Sequence, residues 1–255
     1  MDIVPGDPQK NRKLVKKWAE EEVTKNSSDI LVLPEMWTTA YTLSSLNEIA
    51  DRDGEPTKCF LKKLAKTLNV NIIGGSIANK VNGNLYNTAL VYDRSGNLVY
   101  EYNKVHLVPM LDEHHYLTGG KNPPEIFHLE GIKMGLVICF DLRFPEMIRS
   151  LALEGAQILH IVAEWPCPRI DHWKYLQIAR AIENQMYIVS SNRVGEYNSV
   201  KFCGTSMIID PWGEIMKEGS KTNEESIFAE LDLLKVKEVR KKVPIFSCRV
   251  PHLYK

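Results

Sequence analysis

A cysteine stands where an apolar run turns polar, within residues 133–146. The run up to residue 138 has the composition of a buried strand, and Pro145 and Glu146 suit the first turn of a helix. Cys139 therefore lies at a predicted strand-to-helix elbow, beside backbone N–H groups that favour a thiolate and can hold an oxyanion. These features make Cys139 a candidate nucleophile. The alternative is a small apolar core cysteine, the commoner role of a lone cysteine.

Two other reactive side chains follow predicted strands in the same way. Glu35 ends the apolar run at residues 29–35, and Lys104 follows a predicted hairpin at residues 85–102. By itself, a buried Lys–Glu pair would more simply hold two strands together. In company with Cys139, the three strand ends offer a carboxylate, an ammonium and a thiol for chemistry.

Alternating strands and helices must position these side chains. Helical periodicity predicts a short charged helix after residue 232, and longer helices at residues 11–25, 60–68 and 171–185. Apolar runs predict further strands at residues 71–77, 157–164, 186–191 and 226–232. Gly74 and Gly75 indicate a close backbone approach, and a second hairpin is predicted at residues 204–217. This order indicates an α/β protein with layered sheets and helices.

The composition argues against several classes of protein. The chain has 255 residues with 32 Lys+Arg and 32 Asp+Glu, so its zero net charge indicates no nucleic-acid or membrane surface. No apolar run approaches the roughly 20 residues that cross a bilayer, and residues 1–5 do not resemble a signal peptide. Five cysteines without dense spacing argue against a disulfide framework. We therefore expect a cytoplasmic protein.

Three motifs together resemble the nitrilase, or carbon–nitrogen hydrolase, superfamily. Leu-Pro-Glu-Met contains Glu35, Asn-Lys-Val-His-Leu contains Lys104, and Cys-Phe-Asp-Leu-Arg-Phe-Pro-Glu begins at Cys139. Each motif alone is modest evidence, but their order and separation match across nearly the whole chain. The resemblance implies a four-layer αββα sandwich, formed by residues 1–255 as a single domain. It also implies a homodimer that needs no metal and no other cofactor.

The resemblance implies catalytic roles for four residues. Glu35, Lys104 and Cys139 match the catalytic Glu, Lys and Cys of the family, and Glu113 matches its second active-site Glu. Cys139 would attack an amide carbon while Glu35 transfers protons. Lys104 and the backbone N–H of Phe140 would stabilise the oxyanion. Glu35 and Glu113 would keep Lys104 cationic in a buried site.

A closer resemblance, to the ω-amidase group, is carried by residues 163–166, by the helix up to residue 184 and by the C-terminal tail. This group hydrolyses 2-oxoglutaramate or 2-oxosuccinamate to the oxo acid and ammonia. Phe140 and Trp165 would then wall a small pocket, and Arg143 would bind the substrate carboxylate. The alternatives are core packing for Trp165, and for Arg143 an ion pair with Glu146 or Asp141 that braces the elbow. Hydrolysis of N-carbamoyl amino acids or other small amides also remains open, as does a catalytically silent scaffold.

One loop and three further cysteines have other interpretations. A metal site is conceivable at residues 112–115, where Asp, Glu and two His crowd together, but this spacing fits no helical or finger motif and favours a solvated loop. Cys167, Cys203 and Cys248 lack a flanking signature and are predicted to be packing or surface thiols.

The N-terminal segment departs from the family pattern. The family usually begins with an apolar strand before a Gly-Asp-Pro segment, and here that segment already starts at Gly6. We therefore expect additional apolar residues, which form this first strand, before Met1.

Overall fold

The computed structural model describes residues 1–254. Its helices are α1 (Pro8–Asn26), α2 (Leu46–Ile49), α3 (Thr57–Leu68), α4 (Pro145–Leu153), α5 (Ile170–Asn184) and α6 (Leu233–Lys242). Its strands are β1 (Ile30–Val32), β2 (Asp51–Arg52), β3 (Asn71–Val81), β4 (Asn84–Tyr92), β5 (Leu98–Asn103), β6 (Phe127–Leu129), β7 (Ile132–Ile138), β8 (Ile158–Ala163), β9 (Tyr187–Asn192), β10 (Val194–Tyr197), β11 (Val200–Cys203), β12 (Met207–Ile209) and β13 (Ile215–Glu218). None of the described helices is long and apolar enough to cross a membrane.

The first sheet is built around β3. Its strand order is β1–β3–β4–β5, and β2 pairs with a later part of β3. β1 runs parallel to β3, whereas β3, β4 and β5 are antiparallel neighbours. Helices α1 and α3 cover the outer face through Val15, Ala19, Leu61 and Leu64, which are buried in one apolar cluster. Burial of one helix face accounts for the periodicity of these segments.

The second sheet has the order β13–β12–β9–β8–β7–β6. Its central strands β7, β8 and β9 are parallel, and β8 is buried along its whole length. Helices α4 and α5 cover its outer face through Ile148, Leu151, Trp173 and Ala181. A strand covered on both faces needs a continuous apolar run, and this run is why β8 could be predicted from the sequence.

The two sheets pack face to face. Ile73, Ala89 and Val91 of the first sheet belong to the same buried cluster as Leu136 and Ile161 of the second. With the helices outside, the layers follow the order helix, sheet, sheet, helix. The predicted four-layer αββα sandwich is confirmed.

Residues 226–232 form no strand, so that prediction is wrong. A strand requires a neighbouring backbone with which to exchange hydrogen bonds. Within the described residues this segment instead borders an open groove. The β10–β11 hairpin was not predicted, because its short strands carry no regular apolar alternation.

A groove of about 1250 Å³ separates β1 from residues 226–232; we call it the inter-sheet groove. Leu14 and Trp18 of α1 line one side, and Met134 and His160 of the second sheet line another. Among residues 1–254, β1 pairs only with β3, so its other edge faces this groove. The first sheet therefore ends at an uncovered edge with apolar walls on either side.

Cys167 and Cys203 are joined by a disulfide, so their predicted role as packing or surface thiols is wrong. Pro166 forms an isolated bridge with Phe202, which brings the two cysteines together. They are separated by 36 positions, and no motif marks the pairing. Cys248 is a free and exposed thiol, as predicted.

Candidate active site

Glu35, Lys104, Glu113 and Cys139 meet at one end of the two packed sheets. Glu35 follows β1, Lys104 follows β5 and Cys139 follows β7, so both sheets contribute. Glu113 lies in a 3-10 turn, Glu113–His115, in the loop that follows Lys104. All four side chains are buried. The fold thus brings together the four residues that the motifs singled out.

The loop that carries Glu35 lies directly against β3. Ser76 N–H donates a hydrogen bond to the Pro34 carbonyl. Gly75 has a φ of +59°, and a Cβ at this position would lie 2.0 Å from the Pro34 carbonyl oxygen. Only glycine permits this approach, which agrees with the close contact predicted from Gly74 and Gly75.

Lys104 lies between the two carboxylates. Its Nζ is 2.9 Å from Oε1 of Glu35 and 2.9 Å from Oε1 of Glu113. Burial alone would lower the pKa of Lys104, but the carboxylates of Glu35 and Glu113 outweigh this effect and raise it. The ammonium therefore stays charged although its side chain is buried.

The two oxygens of Glu35 have different partners. Oε1 accepts hydrogen bonds from Lys104, from Nδ2 of Asn87 at 2.8 Å and from the Tyr41 hydroxyl at 2.7 Å. Oε2 accepts one from the backbone N–H of Glu164 at 2.8 Å. Three groups that can donate surround Oε1 and one donates to Oε2, so Oε2 is the oxygen more available to exchange a proton.

Cys139 is buried at the end of β7 with a φ of +46°, in the left-handed region that favours glycine. A 3-10 turn, Cys139–Arg143, follows it, and α4 begins only at Pro145. Burial, with a further contribution from Glu35, raises the pKa of the Cys139 thiol well above its ordinary value. These effects favour the thiol over the thiolate and oppose the N–H groups at the elbow, which favour the thiolate.

Asp141 ties the elbow to the loop that carries Lys104. Its Oδ2 accepts a hydrogen bond from the Tyr102 hydroxyl at 2.9 Å, and its Oδ1 accepts one from the backbone N–H of His106 at 3.1 Å. The His106 ring nitrogen Nδ1 also lies 2.9 Å from Oδ1. One buried carboxylate thus fixes the position of Cys139 relative to Lys104.

Arg143 lies over the aromatic wall predicted from Phe140 and Trp165. Its Cζ is 4.6 Å from the ring centre of Trp165 and 5.6 Å from that of Phe140. Within residues 1–254 it forms no ion pair with Glu146 or Asp141, so the predicted alternative of a brace is wrong. The side-chain contacts of Arg143 are to the rings and to Nδ1 of His172, 3.3 Å from its Nη1.

Trp165 is buried, which agrees with the alternative prediction that it packs in the core. Its ring nevertheless also faces Arg143. The indole Nε1 donates to the Arg169 carbonyl at 2.7 Å, and the ring packs against Trp173. Trp165 therefore belongs both to the core and to the wall beside Arg143.

Several site residues were not predicted from the sequence. Tyr41 and Asn87 both contact Glu35, and the buried Glu164 pairs with buried Arg193 at 2.9 Å. Burial raises the pKa of Glu164 to about 8, against the opposing effect of Arg193. Glu164 directly follows a buried strand, as Glu35 does, so its position in the sequence could have marked it as a site residue. Nothing in the sequence distinguishes Tyr41 or Asn87 from ordinary core residues.

The loop considered as a metal site separates into two parts. Asp112, His114 and His115 are exposed, and their potential ligand atoms lie within 4.8 Å of one another. Glu113 turns inward, where it binds Lys104 and accepts a hydrogen bond from the backbone N–H of Val108 at 2.7 Å. Glu113 is therefore part of the buried group and not of the exposed one.

Comparisons with known proteins agree with this geometry. The sequence model of the carbon–nitrogen hydrolase family matches residues 1–241. The chain is 45% identical over 246 residues to the 2-oxoglutaramate amidase of Bacillus subtilis (strain 168), which covers 96% of this chain and 93% of that protein. It is 31% identical over 242 residues to the omega-amidase NIT2 of Bos taurus, covering 91% and 87% respectively. The crystal structure of carbon–nitrogen hydrolase from Helicobacter pylori G27 has a TM-score of 0.90 at 26% identity, covering 99% of this chain and 94% of that one.

Proposed function

Because the chain belongs to the carbon–nitrogen hydrolase family, we propose that it hydrolyses the terminal amide of a small 2-oxo acid, such as 2-oxoglutaramate, to the oxo acid and ammonia. It is an amidohydrolase of the ω-amidase type. The proposal adds the substrate and the roles of the residues. The observation that carries it is the convergence of Cys139, Glu35, Lys104 and Glu113 in one buried group.

The first half of the reaction forms a thioester. Sγ of Cys139 bonds to the amide carbon while Oε2 of Glu35 takes the thiol proton. The carbonyl oxygen becomes an oxyanion, which the Lys104 ammonium and the Phe140 backbone N–H stabilise. Glu35 then passes the proton to the nitrogen, the C–N bond breaks, and ammonia leaves.

The second half releases the acid. Glu35 takes a proton from water while the water oxygen adds to the thioester carbon, which again places an oxyanion beside Lys104. The C–S bond breaks, Glu35 returns the proton to the Cys139 sulfur, and the oxo acid leaves. Glu35 therefore gains and loses a proton twice in each turnover. Glu113 holds Lys104 in place throughout.

Arg143 is the group that we assign to the substrate carboxylate. Within residues 1–254 its Nε is buried without a hydrogen-bond partner. Burial lowers the pKa of Arg143, and an anion bound to the guanidinium would oppose that effect. The aromatic rings hold the guanidinium plane, and a carboxylate can bind to its edge through two hydrogen bonds. This supports an amide that carries a carboxylate at its other end.

The test is a comparison of ammonia release from 2-oxoglutaramate and from a neutral amide of similar length. We expect the wild-type enzyme to prefer 2-oxoglutaramate and Cys139→Ala to be inactive on both. Arg143→Met should raise KM for 2-oxoglutaramate roughly tenfold or more, since a charge-assisted hydrogen bond is lost, with little effect on the neutral amide. Full turnover in Cys139→Ala, or a wild-type preference for neutral amides, would contradict the proposal.

The assembly is also part of the proposal. Exposed apolar side chains, among them Ile182, Trp212 and Tyr254, lie on the face formed by α5, the β12–β13 turn and the C-terminal segment. A shallow groove of about 700 Å³ runs between them. A second copy of the chain that covers this face would give the homodimer expected from the resemblance. The cytoplasmic location remains a prediction.

A further inference from the structure

The Tyr41 hydroxyl has a single proton and faces two carboxylates. Its oxygen lies 2.7 Å from Oε1 of Glu35 and 2.5 Å from Oε1 of Glu113. Lys104 Nζ donates to the same hydroxyl oxygen at 3.0 Å. A hydroxyl can donate only once, so at any moment the Tyr41 proton points to Glu35 or to Glu113.

The Lys104 ammonium beside the Tyr41 hydroxyl cannot change its hydrogen-bond partners in this way. Lys104 carries three N–H groups, and they are directed to Glu35, to Glu113 and to the Tyr41 oxygen at 2.9, 2.9 and 3.0 Å. Its orientation is therefore set by three acceptors. Rotation of the Tyr41 O–H about its C–O bond can change which carboxylate receives the donor, and no heavy atom needs to move.

We propose that Tyr41 is a positioning residue that directs its proton to Glu35 while Glu35 is ionised and to Glu113 while Glu35 is protonated. The inference rests on the proposed function, in which Glu35 gains and loses a proton twice per turnover. An ionised carboxylate in a buried site needs more donors than a protonated one. Tyr41 supplies that difference by a change of hydrogen bond, without a transfer of its own proton.

The phenol is suited to this role because it stays protonated. Tyr41 is buried, and burial with the charges of Glu113 and Glu35 raises the pKa of its hydroxyl well above the ordinary value. Its ring also lies beside Lys104, with the ammonium 5.7 Å from the ring centre. The hydrogen bond from Lys104 and the burial of the ring hold the phenol oxygen in one place while the O–H bond can rotate.

The test compares Tyr41→Phe with Tyr92→Phe, which removes the hydroxyl of a buried tyrosine in β4 that contacts none of the four candidate catalytic residues. Rates with 2-oxoglutaramate are divided by the fraction of Cys139 that iodoacetamide labels, read by mass spectrometry of the Cys139 peptide.

We expect kcat per labelled site to fall roughly 10- to 100-fold in Tyr41→Phe with KM within about threefold, because proton transfer by Glu35 is impaired. The acid limb of its pH–rate profile should move to higher pH, since ionised Glu35 has lost a donor. Tyr92→Phe should stay within about twofold of the wild type.

Two results would overturn the inference. One is a kcat per labelled site and a pH profile in Tyr41→Phe that match those of Tyr92→Phe. The other is a loss of labelled sites in Tyr41→Phe with an unchanged rate at each remaining site, which would mean that Tyr41 only supports the fold. Cys139→Ala, measured alongside, separates the two proposals. Turnover that persists in Cys139→Ala removes the proposed function, whereas turnover lost there but kept in Tyr41→Phe overturns the role of Tyr41 alone.

Discussion

At the scale of single residues, Glu35 shows how a buried carboxylate can be both held and reactive. Oε1 is occupied by Lys104, Asn87 and Tyr41, which fixes the carboxylate plane. Oε2 has the Glu164 N–H as its donor and is the oxygen that the proposed reaction uses for proton transfer. Proton transfer through one oxygen can thus proceed while the other keeps the side chain in place.

His160 allows a prediction about pH and stability. It is buried in β8, and burial lowers its pKa to about 3 from 6.5. The unfolded chain therefore binds more protons at this residue between these pH values, and stability falls as pH decreases through the window. We expect His160→Leu to reduce this loss, by up to about 1.4 kcal/mol for each pH unit. Urea unfolding at pH 7 and pH 5 measures the difference, with the exposed His128→Leu as control. Equal pH dependence in both variants would contradict the prediction.

The sequence was most informative where chemistry requires a particular residue type at a strand end. Glu35, Lys104 and Cys139 could be selected because a carboxylate, an amine or a thiol is unusual directly after an apolar run. Tyr41 and Asn87 could not be selected, because their contribution depends on distances to Glu35 that only the folded chain defines. The partner of Arg143 was equally undetermined, since the sequence placed two acidic residues near it.

At the scale of elements, β3 holds the loop that carries Glu35, the proposed general base. The register of β3 against β4 shifts between Ile73 and Ser76, at the point where the Glu35 loop is bound. A Cβ on Gly75 would meet the Pro34 carbonyl at 2.0 Å, and its φ of +59° disfavours other residues. Irregularities of this kind in a strand commonly re-aim a side chain beside an active site.

We therefore expect Gly75→Ala to displace the loop that carries Glu35. Backbone strain and the contact with Pro34 should lower stability by about 1–3 kcal/mol. The rate of ammonia release should fall as well, because a displaced general base loses its alignment with Cys139. Gly83→Ala is the control, since Gly83 also has positive φ and a Cβ there would meet no atom within 4 Å. Similar rates per folded molecule in both variants would show that the Gly75 contact does not position Glu35.

Helices and buried strands were predictable because their periodicity is set by local burial. The predicted helix at residues 171–185 matches α5 within one residue at each end, since its apolar face packs on the second sheet. The strand predicted at residues 226–232 depended on a neighbour, and the periodicity of a segment does not reveal whether one is present. The disulfide was not predicted for the same reason, because it depends on the approach of Pro166 to Phe202.

At the scale of the whole molecule, the exposed apolar face around Ile182 and Trp212 predicts the assembly. Ile182→Asp should convert a dimer into a monomer, because a buried unpaired charge disfavours the interface. Light scattering after gel filtration measures the mass. Leu98→Asp, on β5 of the first sheet and similarly exposed to solvent, should leave the dimer intact. A wild-type monomer, or a dimer that survives in Ile182→Asp, would exclude this face.

The inter-sheet groove supports the proposal that a further apolar strand belongs beside β1. β1 has an unpaired edge within the described residues, and residues 226–232 lie across the groove without a strand partner. Met1 also lines the groove. An added apolar strand would find unpaired backbone groups on β1 and apolar walls on both sides of the groove.

The backbone of Cys139 has a consequence for the balance between activity and stability. Its φ of +46° places a residue with a side chain where glycine is favoured, at a cost of about 1–2 kcal/mol. The thiol that the proposed reaction requires is thus carried by a conformation that weakens the fold at that position. An inactive chain with glycine at residue 139 could be the more stable molecule, provided that the small space left by the thiol is tolerated. Selection for stability alone would then act against a thiol at this position.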